Sequence, residues 1–146
     1  MNIHVNIDPD CQEPEVTIRT RELTEEINVL IQKISASNQN IILGFLDDEV
    51  HLLEPANLIR LYSANKKVFA ETMKVEFAVR MRLYELEERL DPSRFVRISN
   101  SEIVNLKAIR KMDLSFTGTI AITLSNGKTT YVSRRYVSKI KKTLGI

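Results

Sequence analysis

Residues 94–106 read RFVRISNSEIVNL, and this stretch decides the fold of the chain. It follows Asp91-Pro92, which ends a run of helix-forming residues because the residue before a proline avoids helical geometry. Strands are therefore predicted to resume at Arg94. By residue type alone, Asn100 is interpreted as a turn residue that hydrogen-bonds its own backbone.

Basic residues are concentrated from this stretch onward. Between Arg97 and the end of the chain, ten Lys and Arg residues stand against Glu102 and Asp113, which gives a net charge of +8. The whole chain of 146 residues carries only +2, so the remainder carries −6. This asymmetry predicts that one end of the molecule meets a polyanion and the other does not.

A hairpin and a short helix are predicted to close the chain. Residues 120–124 alternate as in a strand, Asn126-Gly127 would supply the two positive-φ positions of a type I′ turn, and residues 130–132 form the second strand. Ser133 is predicted to cap the final helix. The helix positions expected to pack inward are Val137, Ile140 and Leu144.

The other faces of this final helix are basic, so a phosphate-rich partner is expected along its exposed side. For Lys141 and Lys142, a favourable interaction with the helix C-terminus is an additional explanation. Two neighbouring stripes are formed by Arg135, Lys139 and Lys142, and by Arg134, Ser138 and Lys141.

Upstream of the stretch the pattern is mostly that of strands, with one helix predicted over residues 82–90. Lys66-Lys67 is expected at an exposed loop tip between two strands. Composition alone leaves open whether these lysines are only solvated or contact phosphate. The candidate strands are residues 41–46, 49–53, 58–62, 68–72 and 76–81.

The amino-terminal residues are predicted to form a strand-helix appendage. Residues 3–7 alternate as in a half-buried strand, and a second short alternation follows at Val16 and Ile18. From Glu22 onward the apolar spacing becomes helical. The polar residues 35–40 indicate a boundary, which predicts an appendage over residues 1–37 and a main domain over residues 38–146. The apolar helix positions are Leu23, Ile27, Leu30, Ile31 and Ile34.

The composition also argues against several protein classes. Cys11 is the only cysteine, so neither an internal disulfide nor a thiol-ligated metal site is expected. No apolar stretch approaches the length of a membrane span, and residues 1–10 do not have the pattern of a signal peptide. A cytoplasmic protein is expected.

No arrangement of residues indicates catalysis or cofactor binding. His4 and His51 lack a second ligand at metal-binding spacing, and the four glycines are too far apart for a nucleotide-binding loop. Asp47-Asp48-Glu49 is interpreted as a solvated turn, because adjacent side chains point in different directions. We therefore expect no enzyme, no metal, no cofactor and no small-molecule substrate.

The stretch 94–106 resembles the signature of LytTR-type DNA-binding domains, in which F-x-R-x-x-[NR]-S-x-[IV]-[IV]-N follows a helix-ending proline. The resemblance continues through residues 107–109, the Asn-Gly hairpin and residues 132–140, and less closely through residues 58–67. It covers about residues 38–146. It implies a mainly β fold with short helices, α+β overall: an elongated antiparallel domain that inserts loops, and no recognition helix, into successive major grooves.

The resemblance also implies roles for individual residues. Three loop regions contact bases in such domains, and they map to Asn100, to Arg135 and to Lys66 or Lys67, of which Lys67 is taken as the base contact. Independently, Arg135 has the planar two-donor edge that fits guanine O6 and N7, and Asn100 can pair with adenine N6 and N7. Backbone contacts are expected from Lys66, Arg97, Ser101, Arg134 and Lys139.

The implied function is sequence-specific binding of double-stranded DNA at repeated half-sites by a bacterial transcription regulator. From charge alone, a basic β module that binds an acidic protein or RNA is the alternative. Only Phe116, Tyr131 and Tyr136 are aromatic after Arg97, which argues against the stacking of single-stranded bases.

The helix predicted near the amino terminus has two interpretations. Most LytTR regulators carry a receiver domain, but fewer than forty residues precede the resemblance here, too few for a receiver. The helix is expected either to cover an open face or edge of the β domain, or to form a homodimer or dock on a regulatory partner. A membrane protein is one hypothesis for that partner.

Overall fold

The computed structural model describes residues 1–36 and 41–146, which form two compact units, Met1–Ser35 and Ala36–Ile146. The boundary predicted between residues 37 and 38 lies outside the described residues. Every strand of the described part of the chain belongs to the second unit.

The first unit contains the helix α1 (Glu25–Ala36) except for its last residue, and it contains no strand. The strand predicted over residues 3–7 is therefore wrong, as is the second one at Val16 and Ile18. Ile3 is 85% exposed. An alternating pattern forms a strand only where a neighbouring strand supplies hydrogen bonds and a face on which to bury the apolar residues, and no strand within residues 1–36 and 41–146 pairs with this segment.

Helix α1 begins at Glu25, three residues later than the predicted start. The Thr24 hydroxyl oxygen accepts a hydrogen bond from the Ile27 N–H at 3.3 Å, and Glu25 and Glu26 occupy the first turn. A hydroxyl cap and negative charge both stabilise a helix N-terminus. Leu23 precedes the helix and is exposed.

The second unit is built from two antiparallel sheets and two helices, α2 (Leu83–Arg89) and α3 (Arg134–Leu144). This arrangement confirms the predicted mainly β, α+β fold, and the predicted strands between residues 41 and 81 are correct to within two residues. One sheet has the strand order β2-β1-β5-β4-β3-β7-β6, and the other has the order β10-β9-β8. The strands are β1 (Ile42–Leu46), β2 (Glu49–Leu53), β3 (Arg60–Ala64), β4 (Lys67–Glu71), β5 (Glu76–Val79), β6 (Phe95–Ser99), β7 (Glu102–Asn105), β8 (Ile109–Asp113), β9 (Ile120–Leu124) and β10 (Thr129–Val132).

The seven-stranded sheet has a hydrophobic core on each of its faces. Leu86 of α2 packs in one core with Ile103, and Ile140 of α3 packs in the other with Val104 and Ile122. Ile103 and Val104 are consecutive residues of β7, and consecutive side chains of a strand point to opposite faces. Strand β7 therefore contributes to both cores.

The predicted hairpin between β9 and β10 is present, but its turn differs from the prediction. Only Gly127 has a positive φ, of 85°, and the loop contains three residues, 125–127. The Gly127 N–H bonds to the Leu124 carbonyl at 2.9 Å, and the Leu124 N–H bonds to the Lys128 carbonyl at 2.8 Å. The predicted type I′ turn is wrong, because a three-residue loop needs only one left-handed residue, at its last position.

The β3–β4 connection is the hairpin in which two consecutive residues have positive φ. Asn65 has a φ of 51° and Lys66 a φ of 64°, and Ala64 pairs with Lys67. Two left-handed residues between directly paired strands are the backbone pattern of a type I′ turn. Lys66 therefore occupies a conformation that is costly for a residue with a Cβ atom.

Helix α3 follows Ser133 as predicted, but the Ser133 hydroxyl does not cap it and instead donates to the Ile98 carbonyl at 3.3 Å. Gly145, with a φ of 71°, ends the helix. Ile140 is fully buried, whereas Leu144, which was predicted to pack inward, is 37% exposed. Leu144 is the last residue of the helix.

A buried ionic network joins the two sheets. Arg60 on β3 donates to Glu71 at 2.6 Å and to Glu102 at 2.9 Å. Glu71 also pairs with Lys128 at 2.9 Å, in the loop region of the smaller sheet, and Glu102 accepts a hydrogen bond from the Thr130 hydroxyl. Glu71 is only 3% exposed.

The charges of this network stabilise one another. Burial by itself would raise the pKa of Glu71, but hydrogen bonds from Lys128 and Arg60 outweigh it and lower that pKa. Burial would likewise lower the pKa of Arg60, yet its two carboxylate partners raise it. Glu71 and Arg60 therefore stay ionised despite their burial, as paired buried charges do.

Candidate nucleic-acid interface

Two of the loops that carry predicted base contacts lie side by side at one end of the large sheet. Strands β3 and β7 are antiparallel neighbours, with Tyr62 opposite Glu102. The Ser63 N–H bonds to the Ser101 carbonyl at 2.8 Å. The β6–β7 turn, formed by Asn100 and Ser101, is therefore next to the tip of the β3–β4 hairpin.

The start of α3 is tied to the same turn. The Ser133 N–H bonds to the Ile98 carbonyl at 2.9 Å, and the Tyr136 hydroxyl donates to Oδ1 of Asn100 at 3.3 Å. Arg135, the third predicted base contact, directly precedes Tyr136. The fold thus brings together three regions that are far apart in sequence.

The basic side chains of this surface are available for a partner. Lys66, Lys67, Arg134 and Arg135 are exposed, and among the residues that the structure describes none of the four has an ion-pair partner. Lys66 lies at the hairpin tip, and Lys67 is the first residue of β4. Anionic ligands are attracted to such unpaired positive charge.

Arg134 approaches a second loop, between β8 and β9. A Cβ atom placed on Gly118 would come within 2.9 Å of Nε of Arg134. Gly118 also has a φ of 76°, which favours glycine. The glycine leaves room for the Arg134 side chain at the start of α3.

Arg97 is placed differently from the other predicted phosphate contacts. Its guanidinium donates to the Ser99 carbonyl at 2.7 Å, to the Asn100 carbonyl at 2.6 Å and to Glu87 on α2 at 2.8 Å. The side chain is only 13% exposed. This arrangement favours contacts within the domain over the phosphate contact predicted from the sequence.

Two residues of the site were not identified from the sequence. Glu87 accepts from Arg97 and lies 3.4 Å from Nζ of Lys139, so it links β6 to α3. Tyr136 holds the Asn100 side chain. Each contact joins residues ten or more positions apart, and no local periodicity marks either residue.

The acidic and histidine residues considered as metal ligands do not form a cluster. Asp47 and Asp48 form the β1–β2 connection, and Nε2 of His51 lies 3.2 Å from Glu49. No group of three or more potential metal-binding side chains is found in the described part of the chain. Within residues 1–36 and 41–146, no helix is both long enough and apolar enough to cross a membrane.

Residues 48–145 match the LytTr DNA-binding domain family. Proteins of two Staphylococcus aureus strains, bovine RF122 / ET3-1 and COL, are 33% identical to this chain over 147 residues, and the alignments cover 100% of this chain and 99% of each relative. Both are named as HTH-type transcriptional regulators. In the described residues of this chain, however, consecutive α-helices are separated by more than forty residues, so no two α-helices are joined by a short turn.

The fold also has a counterpart among solved structures. A LytTr DNA-binding domain from Bacillus cereus superposes with a TM-score of 0.72, covers 74% of this chain and 99% of its own length, and is 23% identical in sequence. At that identity the likeness concerns the fold alone. The match over residues 48–145 and the 33% identity to the Staphylococcus aureus relatives show that the chain belongs to the LytTR DNA-binding domain family.

Proposed function

We propose that this protein binds double-stranded DNA sequence-specifically and regulates transcription in the bacterial cytoplasm. The observation that carries the proposal is the convergence of the β3–β4 hairpin tip, the β6–β7 turn and the start of α3, joined by the bonds between Ser63 and Ser101 and between Tyr136 and Asn100. Loops at the end of a sheet can enter a major groove, which is wide enough to admit protein elements.

Base recognition is assigned to one side chain from each region. Arg135 would donate two hydrogen bonds to guanine O6 and N7, and Asn100 would pair with adenine N6 and N7. Lys67 would contact a base from the first strand position after the hairpin tip. The exposure of all three side chains supports this assignment.

Contacts to the DNA backbone are assigned to the residues around these three. Lys66, Arg134 and Lys139 carry exposed positive charge, and Ser101 offers an exposed hydroxyl beside Asn100. Contacts of this kind fix the position of a protein on the duplex without selecting a sequence. Their number determines how steeply binding weakens with salt.

The first unit is assigned to association. We propose that α1 forms a homodimer, which suits two repeated half-sites, or docks on a regulatory protein such as a membrane protein. Val29 and Ile31 of α1 are 40% and 39% exposed and offer apolar surface. Light scattering on the whole chain and on a chain starting at Asn38 tests this: a soluble truncation with an unchanged oligomeric state contradicts dimerisation through α1.

Selection of genomic fragments across a salt series tests the DNA-binding proposal. We expect enrichment of a duplex motif with two half-sites, and affinity that falls steeply with salt. If no duplex motif is enriched, sequence-specific binding is excluded. Binding of RNA or of an acidic protein in separate assays, without selection of a duplex motif, would support the alternative of a basic interaction module.

A further inference from the structure

We infer that Arg97, held by Glu87, and Tyr136 are positioning residues that present Asn100 to the base, and that Arg97 does not contact phosphate. The inference rests on the proposed function, since it assigns the residues that set sequence preference at the β6–β7 turn. None of the three touches the base itself. Each acts through the backbone or the amide of Asn100.

The backbone of the turn is held by Arg97. One guanidinium donates to the carbonyls of two consecutive residues, Ser99 at 2.7 Å and Asn100 at 2.6 Å. The pairing of β6 with β7 shifts register between Arg97 and Ser99, which is a bulge. Bulges interrupt the ladder of backbone hydrogen bonds and redirect side chains, so the carbonyls there need other donors.

The guanidinium itself is held from the other side by Glu87. The ion pair measures 2.8 Å, and the Arg97 side chain is 13% exposed. A guanidinium that donates to a carboxylate and to two backbone carbonyls has a fixed orientation. A DNA phosphate at Arg97 would have to displace Glu87 or approach close to its negative charge, which is unfavourable.

The amide of Asn100 is oriented by Tyr136. The tyrosine hydroxyl donates to Oδ1 at 3.3 Å, and its ring packs against the second core. Pairing with adenine requires that Oδ1 accept and Nδ2 donate in a defined plane. A fixed amide loses less conformational freedom when the base binds.

Glu87→Gln separates the two roles of Arg97, because they predict opposite changes. If Arg97 positions the turn, discrimination at the base pair contacted by Asn100 falls by about tenfold, which is within the discrimination that one bidentate contact contributes. The slope of log affinity against log salt is then unchanged. If Arg97 contacts phosphate, removing the competing carboxylate strengthens binding to every duplex and leaves the preference intact. Because Glu87 also lies 3.4 Å from Lys139, the comparison is repeated in a Lys139→Ala background, and the second result obtained there overturns the inference.

Two further variants keep the test independent of a single substitution. Arg97→Lys retains the charge but cannot hold both carbonyls and Glu87, so it should also relax preference at one base pair without changing the salt slope. Tyr136→Phe should do the same to a smaller extent. Glu88→Gln, on the exposed side of the same helix, is the matched control and should bind like the unmodified protein. Thermal unfolding of each variant reports on folding.

Asn100→Ala distinguishes the failure of this inference from the failure of the proposed function. The inference requires Glu87→Gln and Asn100→Ala to be non-additive, because both act through the same base pair. If Asn100→Ala relaxes preference but Glu87→Gln and Arg97→Lys do not, only the positioning role is excluded. If Asn100→Ala leaves preference unchanged in a protein that still selects a motif, Asn100 is not a base contact and the positioning role is excluded with it.

Discussion

At the scale of single residues, Asn100 illustrates what sequence and structure each contribute. Its residue type alone suggests a turn, and its place in the LytTR signature suggests a base contact. The structure adds two side chains that contact it, from Arg97 and Tyr136, and Glu87, which holds Arg97. Those contacts could not be predicted, since they join β6, α2 and α3 and depend on how these elements pack.

We predict that Asn100→Ala and Arg135→Ala relax sequence preference. Each truncation removes a bidentate contact that contributes about 1 to 3 kcal/mol of base discrimination. Selection experiments with each variant should show the loss at one position of each half-site. A folded Arg135→Ala protein that still selects the same sites would contradict the assignment.

Lys139→Ala should behave differently. Lys139 is exposed and its distance of 3.4 Å from Glu87 is long for an ion pair, so it remains available to phosphate. Loss of one phosphate contact lowers the slope of log affinity against log salt by about one and weakens all duplexes alike. Affinity measured at several salt concentrations on a specific and a random duplex checks this. A change confined to the specific duplex would argue for base contact instead.

At the scale of elements, alternating strand patterns were predicted correctly where the fold supplies a neighbouring strand, and wrongly where it does not. The strands between residues 41 and 81 have neighbours that complete their ladders, whereas the alternation at residues 3–7 has none. The Asn-Gly dipeptide identified the β9–β10 hairpin but not its loop length. Loop length depends on the register of the two strands, which no dipeptide determines.

The left-handed tip of the β3–β4 hairpin yields a prediction that separates stability from binding. Lys66 has a φ of 64°, so Lys66→Gly should remove backbone strain and stabilise the protein by about 0.5 to 1 kcal/mol, net of the greater flexibility of glycine. The same change should weaken DNA binding because one positive charge is lost. Urea unfolding and duplex affinity measure the two effects.

Lys66→Ala provides the matched control for that prediction. Alanine removes the same charge but keeps the strained conformation, so binding should weaken to a similar extent with no gain in stability. Equal stability of the glycine and alanine variants would show that the strain at the tip does not exceed the entropic cost of glycine. Unchanged affinity in both would exclude Lys66 as a DNA contact.

At the scale of the whole domain, the ionic network of Arg60, Glu71 and Glu102 is connected to the smaller sheet by Lys128 and Thr130, and it should make stability depend on pH. The pKa of Glu71 is lowered in the folded protein, so its contribution is complete above the ordinary glutamate pKa of about 4.3 and is lost as the pH falls through the folded value. Charged hydrogen bonds of this kind contribute about 1.5 to 3 kcal/mol.

Glu71→Gln tests that dependence. The variant should be less stable than the unmodified protein at pH 7 by about 1.5 to 3 kcal/mol, and the difference should shrink as the pH is lowered towards 3, because a protonated glutamate resembles glutamine. Urea unfolding over this pH range, with the exposed Glu88→Gln as control, measures it. A difference that stays constant with pH would mean that the Glu71 charge is not responsible.

The position of β7 between two cores limits which residues of this domain can change among homologues. All four of its residues are buried, and Ile103 packs in the core that contains α2 while Val104 packs in the core that contains the small sheet and α3. A larger or smaller side chain at Ile103 or Val104 would have to be accommodated by a tightly packed interior. Homologues that recognise different operators should therefore differ in sequence at the tip of the β3–β4 hairpin and at the start of α3. Strand β7, which directly follows Asn100 and Ser101, should change least.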